Sequence, residues 1–285
     1  MTQNIFPISI LFFAAIPGLA QTPKSPAPSL TCDQKDRNGR LTSHCEMREQ
    51  TIASGGRLTI DGRANGGITV KGWARNEILV RAQVRTAAPT EAEASLLASQ
   101  VFLQAAAGRI AATGPTANDQ SYWSVSYEVF VPQQSDLSLA THNGGIGVSD
   151  VQGQIEFQAV NGGIHLARLA GNVKGETKNG GVHIELAGNR WNGQGLDVRS
   201  VNGGVHLSVP SNYSARLEAG TTNGSVQSKI PELAMPNEKR PKQIGAHLGG
   251  GGATVRVITT NGGVHIDRLA LGFTHDCEDR GLVHP

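Results

Sequence analysis

Apolar and polar residues alternate in short runs along this chain, and most of the runs begin at the same turn. The phrase Asn-Gly-Gly-(Val/Ile) starts at Asn65, Asn143, Asn161, Asn179, Asn202 and Asn261, with a degenerate copy at Asn223-Gly224-Ser225-Val226. Several copies continue apolar-polar-apolar, as in Ile164-His165-Leu166, Val182-His183-Ile184 and Val264-His265-Ile266. Period-two alternation sends one set of side chains to one face. Between the phrases lies a second alternating run, such as Glu156-Phe157-Gln158-Ala159-Val160 or Thr254-Val255-Arg256-Val257-Ile258. The unit is therefore two short strands and two turns. A fixed unit repeated along a chain predicts a stacked β architecture. From Asn143 onward the Asn residues stand 18, 18, 23, 21 and 38 residues apart, and the last gap absorbs a loop insertion over 231–252.

The fold class that follows is all-β: a single-chain β-solenoid, parallel β-helix-like, with one short capping α-helix. A rival is an antiparallel β-meander of repeated hairpins, because Asn-Gly between alternating strands is also a strong hairpin signal. The solenoid accounts better for repeats that align as whole units. The helix is predicted over 90–107, where Leu96, Leu97, Val101, Phe102 and Leu103 stand among alanines and Thr90 with Glu93 matches a capping box. An open sheet end needs a cover, and this helix is placed there. The organisation reads as a signal peptide over 1–20, a Pro-rich linker and Cys loop over 21–54, and an N-terminal β module over 55–132. The repeat solenoid follows over 133–271, then a C-terminal tail over 272–285.

The turn residues suggest structural chemistry. Gly adopts positive φ without steric cost and Asn tolerates it. Strands stacked about 4.8 Å apart would set Asn143, Asn161, Asn179, Asn202, Asn223 and Asn261 above one another as an amide ladder. Four histidines share one position after the turn: His165, His183, His206 and His265. Flanked by inward-facing apolar residues, they face outward. They are the candidate metal ligands, or a pH-sensitive stripe. The other reading is a polar residue copied with its repeat, and spacing of about 4.8 Å does not by itself build a site with Zn–N bonds of about 2.0–2.1 Å. Thr69, Gly147 and Gln227 stand at this position in other copies, so the column reads as interrupted.

Composition narrows the function classes. With a formal net charge of +2 there is no broad basic field to suggest nucleic acid. Ile5 to Ala20 is largely apolar, with Gly18 and Ala20 before a cut at Gln21, which predicts a cleaved export signal. No other stretch is apolar and long enough for a membrane span. In an oxidising compartment a local disulfide between Cys32 and Cys45 is expected across twelve residues, with zinc binding the alternative, and Cys277 is left to pair between chains, remain a thiol or displace one of the first two. No GxSxG, HExxH or phosphate loop occurs, and the carboxylates fall at different repeat positions. No catalytic residue and no cofactor is assigned.

The repeated turns, the apolar leader and the opening phrase Asn65-Gly66-Gly67-Ile68-Thr69-Val70-Lys71-Gly72-Trp73-Ala74-Arg75-Asn76-Glu77 resemble the bacterial putative-adhesin families, including the head-GIN type, from about Gly55 to Leu271. The resemblance implies a β-solenoid in the bacterial envelope or outside the cell, and brings no catalytic residues. The expected function is a non-catalytic, exported adhesin or envelope scaffold or sensing protein. Its partners would be a glycan or an envelope or surface protein. The alternatives are a carbohydrate-active β-helix enzyme and a metal- or pH-responsive module.

Overall fold

The computed structural model describes residues 30–32, 41–106, 108–233 and 241–269. The calls for the signal peptide, most of the linker, Cys277 and the C-terminal tail lie outside the described residues.

The N-terminal part contains β1 (Thr42–Ala53), β2 (Arg57–Asp61), β3 (Ile68–Trp73), β4 (Glu77–Ala88), α1 (Glu91–Ser99), β5 (Phe102–Ala106), β6 (Arg109–Thr113) and β7 (Tyr122–Pro132). Repeats then follow in pairs: β8 (Asp136–Asn143) with β9 (Ile146–Ser149), β10 (Gln152–Asn161) with β11 (Ile164–Ala167), β12 (Ala170–Asn179) with β13 (Val182–Glu185), β14 (Gly195–Asn202) with β15 (Val205–Val209), and β16 (Ala215–Asn223) with β17 (Val226–Ser228). A lone strand, β18 (Gln243–Leu248), precedes the final pair, β19 (Thr254–Asn261) with β20 (Val264–Arg268).

Each of the repeated Asn-Gly turns, from Asn65 to Asn261, hands the chain from one sheet to the other. The first sheet is ordered β1-β4-β7-β3-β9-β11-β13-β15-β20-β17 and the second β18-β16-β19-β14-β12-β10-β8-β2-β6-β5. Repeat strands pair in parallel, so the architecture is a β-solenoid and the meander is excluded. Antiparallel pairs occur at the ends: β1 with β4, β4 with β7, β5 with β6, and β16 with β18.

The core lies between the sheets, because the alternation sends like residues inward on every rung. One column runs Ile68, Ile146, Ile164, Val182, Val205, Val264, Val226 in register across the first sheet. Another runs Leu137, Ile155, Val173, Leu196, Val255, Leu217 across the second. All are buried, and each such side chain contributes about 1.5–3 kcal/mol.

Two expectations need correction. The rungs do not stack in sequence order: β19 and β20 insert between the β14–β15 rung and the β16–β17 rung. The insertion makes this possible. After β17 the chain passes through a 3-10 turn (Pro231–Leu233), and β18 then covers the edge of β16 in antiparallel fashion. The chain next returns one rung inward. The helix is also shorter than 90–107. It keeps the Thr90–Glu93 capping box but stops at a Gln100 cap, and Phe102–Ala106 is an edge strand. Its inward residues are small, Ala94 and Ala98. The Arg48 guanidinium, from β1, donates to the carbonyls of Ala98 and Val101 and satisfies the open helix end.

The Cys segment also differs from a loop, because Cys45 lies within β1. It is joined to Cys32 by a disulfide, Cα–Cα 5.7 Å.

Candidate functional site

Close stacking constrains the turn that closes each rung, and positive φ is confined to two of the first glycines, Gly203 at φ 158° and Gly262 at φ 155°. Gly144, Gly162 and Gly180 are not among the glycines with positive φ, and none of the ladder asparagines is left-handed. A Cβ on Gly162 would sit 1.9 Å from the Gly144 carbonyl oxygen, and one on Gly180 would sit 2.0 Å from that of Gly162. The first Gly of each phrase is required because the preceding rung occupies its side-chain space. The second Gly faces the following rung more loosely: a Cβ on Gly181 would lie 3.6 Å from the Gly204 oxygen. Ser225 replaces that second Gly only on the terminal rung, where no strand follows.

The asparagines form one unidirectional amide ladder. Each Nδ2 donates to the Oδ1 of the next residue in the order Asn223, Asn261, Asn202, Asn179, Asn161, Asn143, Asn65, at 2.7–2.9 Å. A second, buried column missed at the sequence level supports it. The hydroxyls of Thr141, Thr177, Ser200, Thr221 and Thr259, each two residues before a ladder Asn, donate to carbonyls of the first glycines at 2.7–3.0 Å. The signal was the motif (Thr/Ser)-x-Asn-Gly, broken only at Ala159 among the repeats from Asn143 onward.

On the outer face of the first sheet, one row of residues crosses all ten strands in register. It reads Glu49, Arg81, Glu128, Thr69, Gly147, His165, His183, His206, His265, Gln227. The four histidines are thus contiguous. The expected interruption by Gln227 vanishes because the rung exchange sets His265 beside His206 and moves Gln227 to the edge. The His183 and His206 rings stand 5.7 Å apart at 33°. Rings at this spacing line up without converging on a point, and among the described residues no group of three His, Cys, Asp or Glu is arranged to hold a metal ion.

The row beside the histidines carries charge. Arg168 donates to both oxygens of Asp150 at 2.6 and 2.7 Å and reaches Glu185 at 3.4 Å. The Asp150 hydrogen bonds raise the Arg168 pKa, holding the guanidinium charged. Asp267 pairs with Lys229 at 3.2 Å and approaches His206 at 3.6 Å. Glu185 and Asp267 sit two strands apart with Ser208 between them. Each carboxylate is engaged by its own cation on an open face, so this side presents paired charges and imidazoles to solvent, not a cleft around an acid pair.

At the N-terminal end the same row changes character. The Glu128 side chain is 3% exposed and is clamped by Lys71 at 2.8 Å and Arg81 at 2.5 Å. Trp73 stacks near Phe130 with ring centroids 5.5 Å apart. The outer face of the second sheet has a shallow depression of about 520 Å³ with Glu156, Lys174, Glu176 and Arg199 on its rim. No described helix is long and apolar enough to cross a membrane.

The family described as Toastrack DUF4097 matches residues 30–267. No curated protein matches the chain. Among solved structures, the chain is similar to a putative cell adhesion protein from Clostridium sporogenes, at 7% identity and TM-score 0.44, covering 79% of this chain and 100% of that one. It is also similar to a putative adhesin from Bacteroides fragilis, at 8% identity and TM-score 0.33, covering 79% and 97%. A third is a putative lipid binding protein from Parabacteroides distasonis, at 8% identity and TM-score 0.27, covering 82% and 98%. Likeness at these values carries nothing on function.

Proposed function

Because the chain belongs to the Toastrack DUF4097 family, and that family's fold sets no chemistry by itself, we propose a function from the surface the solenoid displays. The protein is an exported, non-catalytic β-solenoid that acts as an adhesin or as an envelope scaffold or sensing protein. Its binding surface is the outer face of the first sheet, and its partner is a glycan or an envelope or surface protein. The carrying observation is the unbroken run His165, His183, His206, His265, flanked by the Glu185–Ser208–Asp267 row on an open, parallel face. A regular array of imidazole, hydroxyl and carboxylate groups suits an extended partner that repeats along the same direction. Export is supported by the apolar stretch from Ile5 to Ala20 and by the Cys32–Cys45 disulfide, since such bonds persist in oxidising compartments.

The test has two parts. Cell fractionation with protease shaving of intact cells separates surface display from periplasmic retention; recovery in the cytoplasm sinks the export reading. Binding of the purified chain to glycan arrays and envelope extracts is then compared with a His183→Ser, His206→Ser variant. Loss of binding with an unchanged melting temperature supports the outer face as the contact surface. Unchanged binding assigns contact elsewhere.

A further inference from the structure

The amide ladder has two ends, and they are treated differently. Because every Nδ2 donates in one sense, Asn223 presents a free acceptor at one end and Asn65 a free donor at the other. Aligned hydrogen-bonded amides polarise one another, so the Asn65 end gathers positive character and the Asn223 end negative. The chain answers the negative end. Lys242 Nζ donates to the carbonyls of Thr222 and Gly224, on either side of Asn223. Among the described residues no acceptor sits on Asn65 Nδ2.

Asn65 instead lines a cavity of about 460 Å³ with Arg63, Thr113, Gly114, Pro115 and Trp123. The apolar wall is Ala112, Pro115, Ala117 and Trp123. Trp123 Nε1 donates to the Pro115 carbonyl at 2.7 Å, which fixes the indole. A Cβ on Gly114 would lie 2.8 Å from that indole. The polar side offers donors. Asp61 is shared by two guanidinium groups, Arg63 at 3.6 Å and Arg109 at 3.4 Å, which leaves a local excess of positive charge. Among the described residues no carboxylate lines the cavity itself, and the nearest one to Arg63 is the shared Asp61. Arg63 is also held at φ 55°, one of three non-glycine residues with positive φ among the described residues, and such strain gathers at binding sites. Tyr127 adds a separate irregularity: among the described residues its buried hydroxyl has no hydrogen-bond partner, and Asp61 and Arg63 are the charges that act on it.

We propose that this cavity is a binding site for a carboxylate carried on a small ring, with the carboxylate on Arg63 and Asn65 Nδ2 and the ring against Trp123. The ligand class follows from a fixed indole face beside a polar edge that carries a guanidinium and a free amide donor. The site goes beyond the proposed role of the outer face, lies on a different surface, and stands or falls without it. A sugar acid and an aromatic acid share this chemistry, and the experiment separates them.

The full chain, labelled with ¹⁵N, is titrated with glucuronate and with benzoate, and each is compared with its uncharged methyl ester. The Trp123 indole and Asn65 side-chain amide resonances are followed. Saturable shifts of both by at least one acid, with the ester bound about tenfold more weakly, are expected from loss of a charged hydrogen bond. Arg63→Gly removes the guanidinium while relaxing the positive φ, so it should lose about tenfold in affinity with no fall in melting temperature. Glucuronate alone shifting the signals names a sugar acid, and benzoate alone names an aromatic acid. No saturable shift by either acid, ester binding equal to acid binding, or full affinity in Arg63→Gly overturns the proposal.

Discussion

The repeats and the N-terminal cap hold their strands together in different ways. From β8 to β20 the same interactions recur on each rung: an inward apolar column, an Asn amide and, on most rungs, a buried hydroxyl on a glycine carbonyl. At β1, β4 and β7 the pairing is antiparallel and the interactions are singular. They include one clamped carboxylate, Glu128, one guanidinium on a helix end, Arg48, and one disulfide. A periodic structure spreads its stability over many small, equal terms. The cap concentrates its own in a few residues, because it must end a sheet that would otherwise keep growing.

The largest effect should come from the closest approach in the repeats. Gly180→Ala forces a Cβ to 2.0 Å from a backbone oxygen, whereas Gly181→Ala brings one only to 3.6 Å from its neighbour. Backbone cannot yield as a flexible side chain does. The first change is expected to cost about 3 kcal/mol or more and the second under about 1 kcal/mol. Chemical denaturation of the two variants measures the difference. Equal losses would mean that turn conformation, not rung stacking, selects glycine.

In the cap the comparable weak point is Glu128. Glu128→Ala leaves Lys71 and Arg81, 17% and 25% exposed, facing each other without their shared anion. A loss of about 3 kcal/mol is expected. Asp197→Asn, which breaks the more exposed Arg199 pair on the repeats, should stay within about 0.5 kcal/mol. A small effect at Glu128 would make the cap as distributed as the repeats.

This contrast also explains what the sequence made legible. The repeats were readable because each feature occurs many times, so strands, turns and the Asn and His columns could be placed from spacing alone. The stacking order was not readable, since rungs with the same turn are interchangeable partners. The one local clue was Ser225, the only second-glycine position of the phrase to carry a side chain, and it lies on the terminal rung. Positive φ holds for Gly203 and Gly262 alone among the first glycines, and the rung contact they all share was not legible, because positive φ is a local property and rung contact is not. In the cap, Leu96 to Ala106 carries alanine-rich composition that favours a helix throughout, yet pairing with β6 draws Phe102–Ala106 into the sheet. Tertiary pairing overrides propensity there. The Trp123 cavity left no motif, because its walls come from segments about fifty residues apart and meet only through strand order.

Within the ladder, position should matter less than closure. Asn179→Ala removes one donated and one accepted bond, at 2.8 and 2.8 Å, while Asn65→Ala removes only one accepted bond. The internal loss should be about 1–2 kcal/mol and the terminal one about half of that. Thermal melts of the two variants measured side by side resolve this. A terminal loss equal to the internal one would show that the amides act as a single cooperative unit rather than as separate pairs.

The smallest effect has the opposite sign and separates the two regions by pH. Tyr127, under the cap, and Tyr213, in the repeats, are both buried, and burial pushes the Tyr213 phenol up to about 12 and the Tyr127 phenol higher still. An unfolded tyrosine ionises near pH 10. Between the two values the folded chain holds protons that the unfolded chain has released, so stability is complete below about pH 10 and falls as pH rises toward 12. Phenylalanine at either position should flatten that fall. At neutral pH the two should differ. The Tyr127 hydroxyl is buried with no partner among the described residues, so Tyr127→Phe relieves an unmet desolvation cost and should raise stability by about 1 kcal/mol. Tyr213 is not among the buried groups left without a partner, so Tyr213→Phe should give no such gain. Melting curves at pH 7 and across the alkaline range measure both terms. A destabilised Tyr127→Phe at pH 7 would mean that the hydroxyl is satisfied by a group bound beneath the turn at Arg63, and would tie the cap's polar irregularity to the neighbouring cavity.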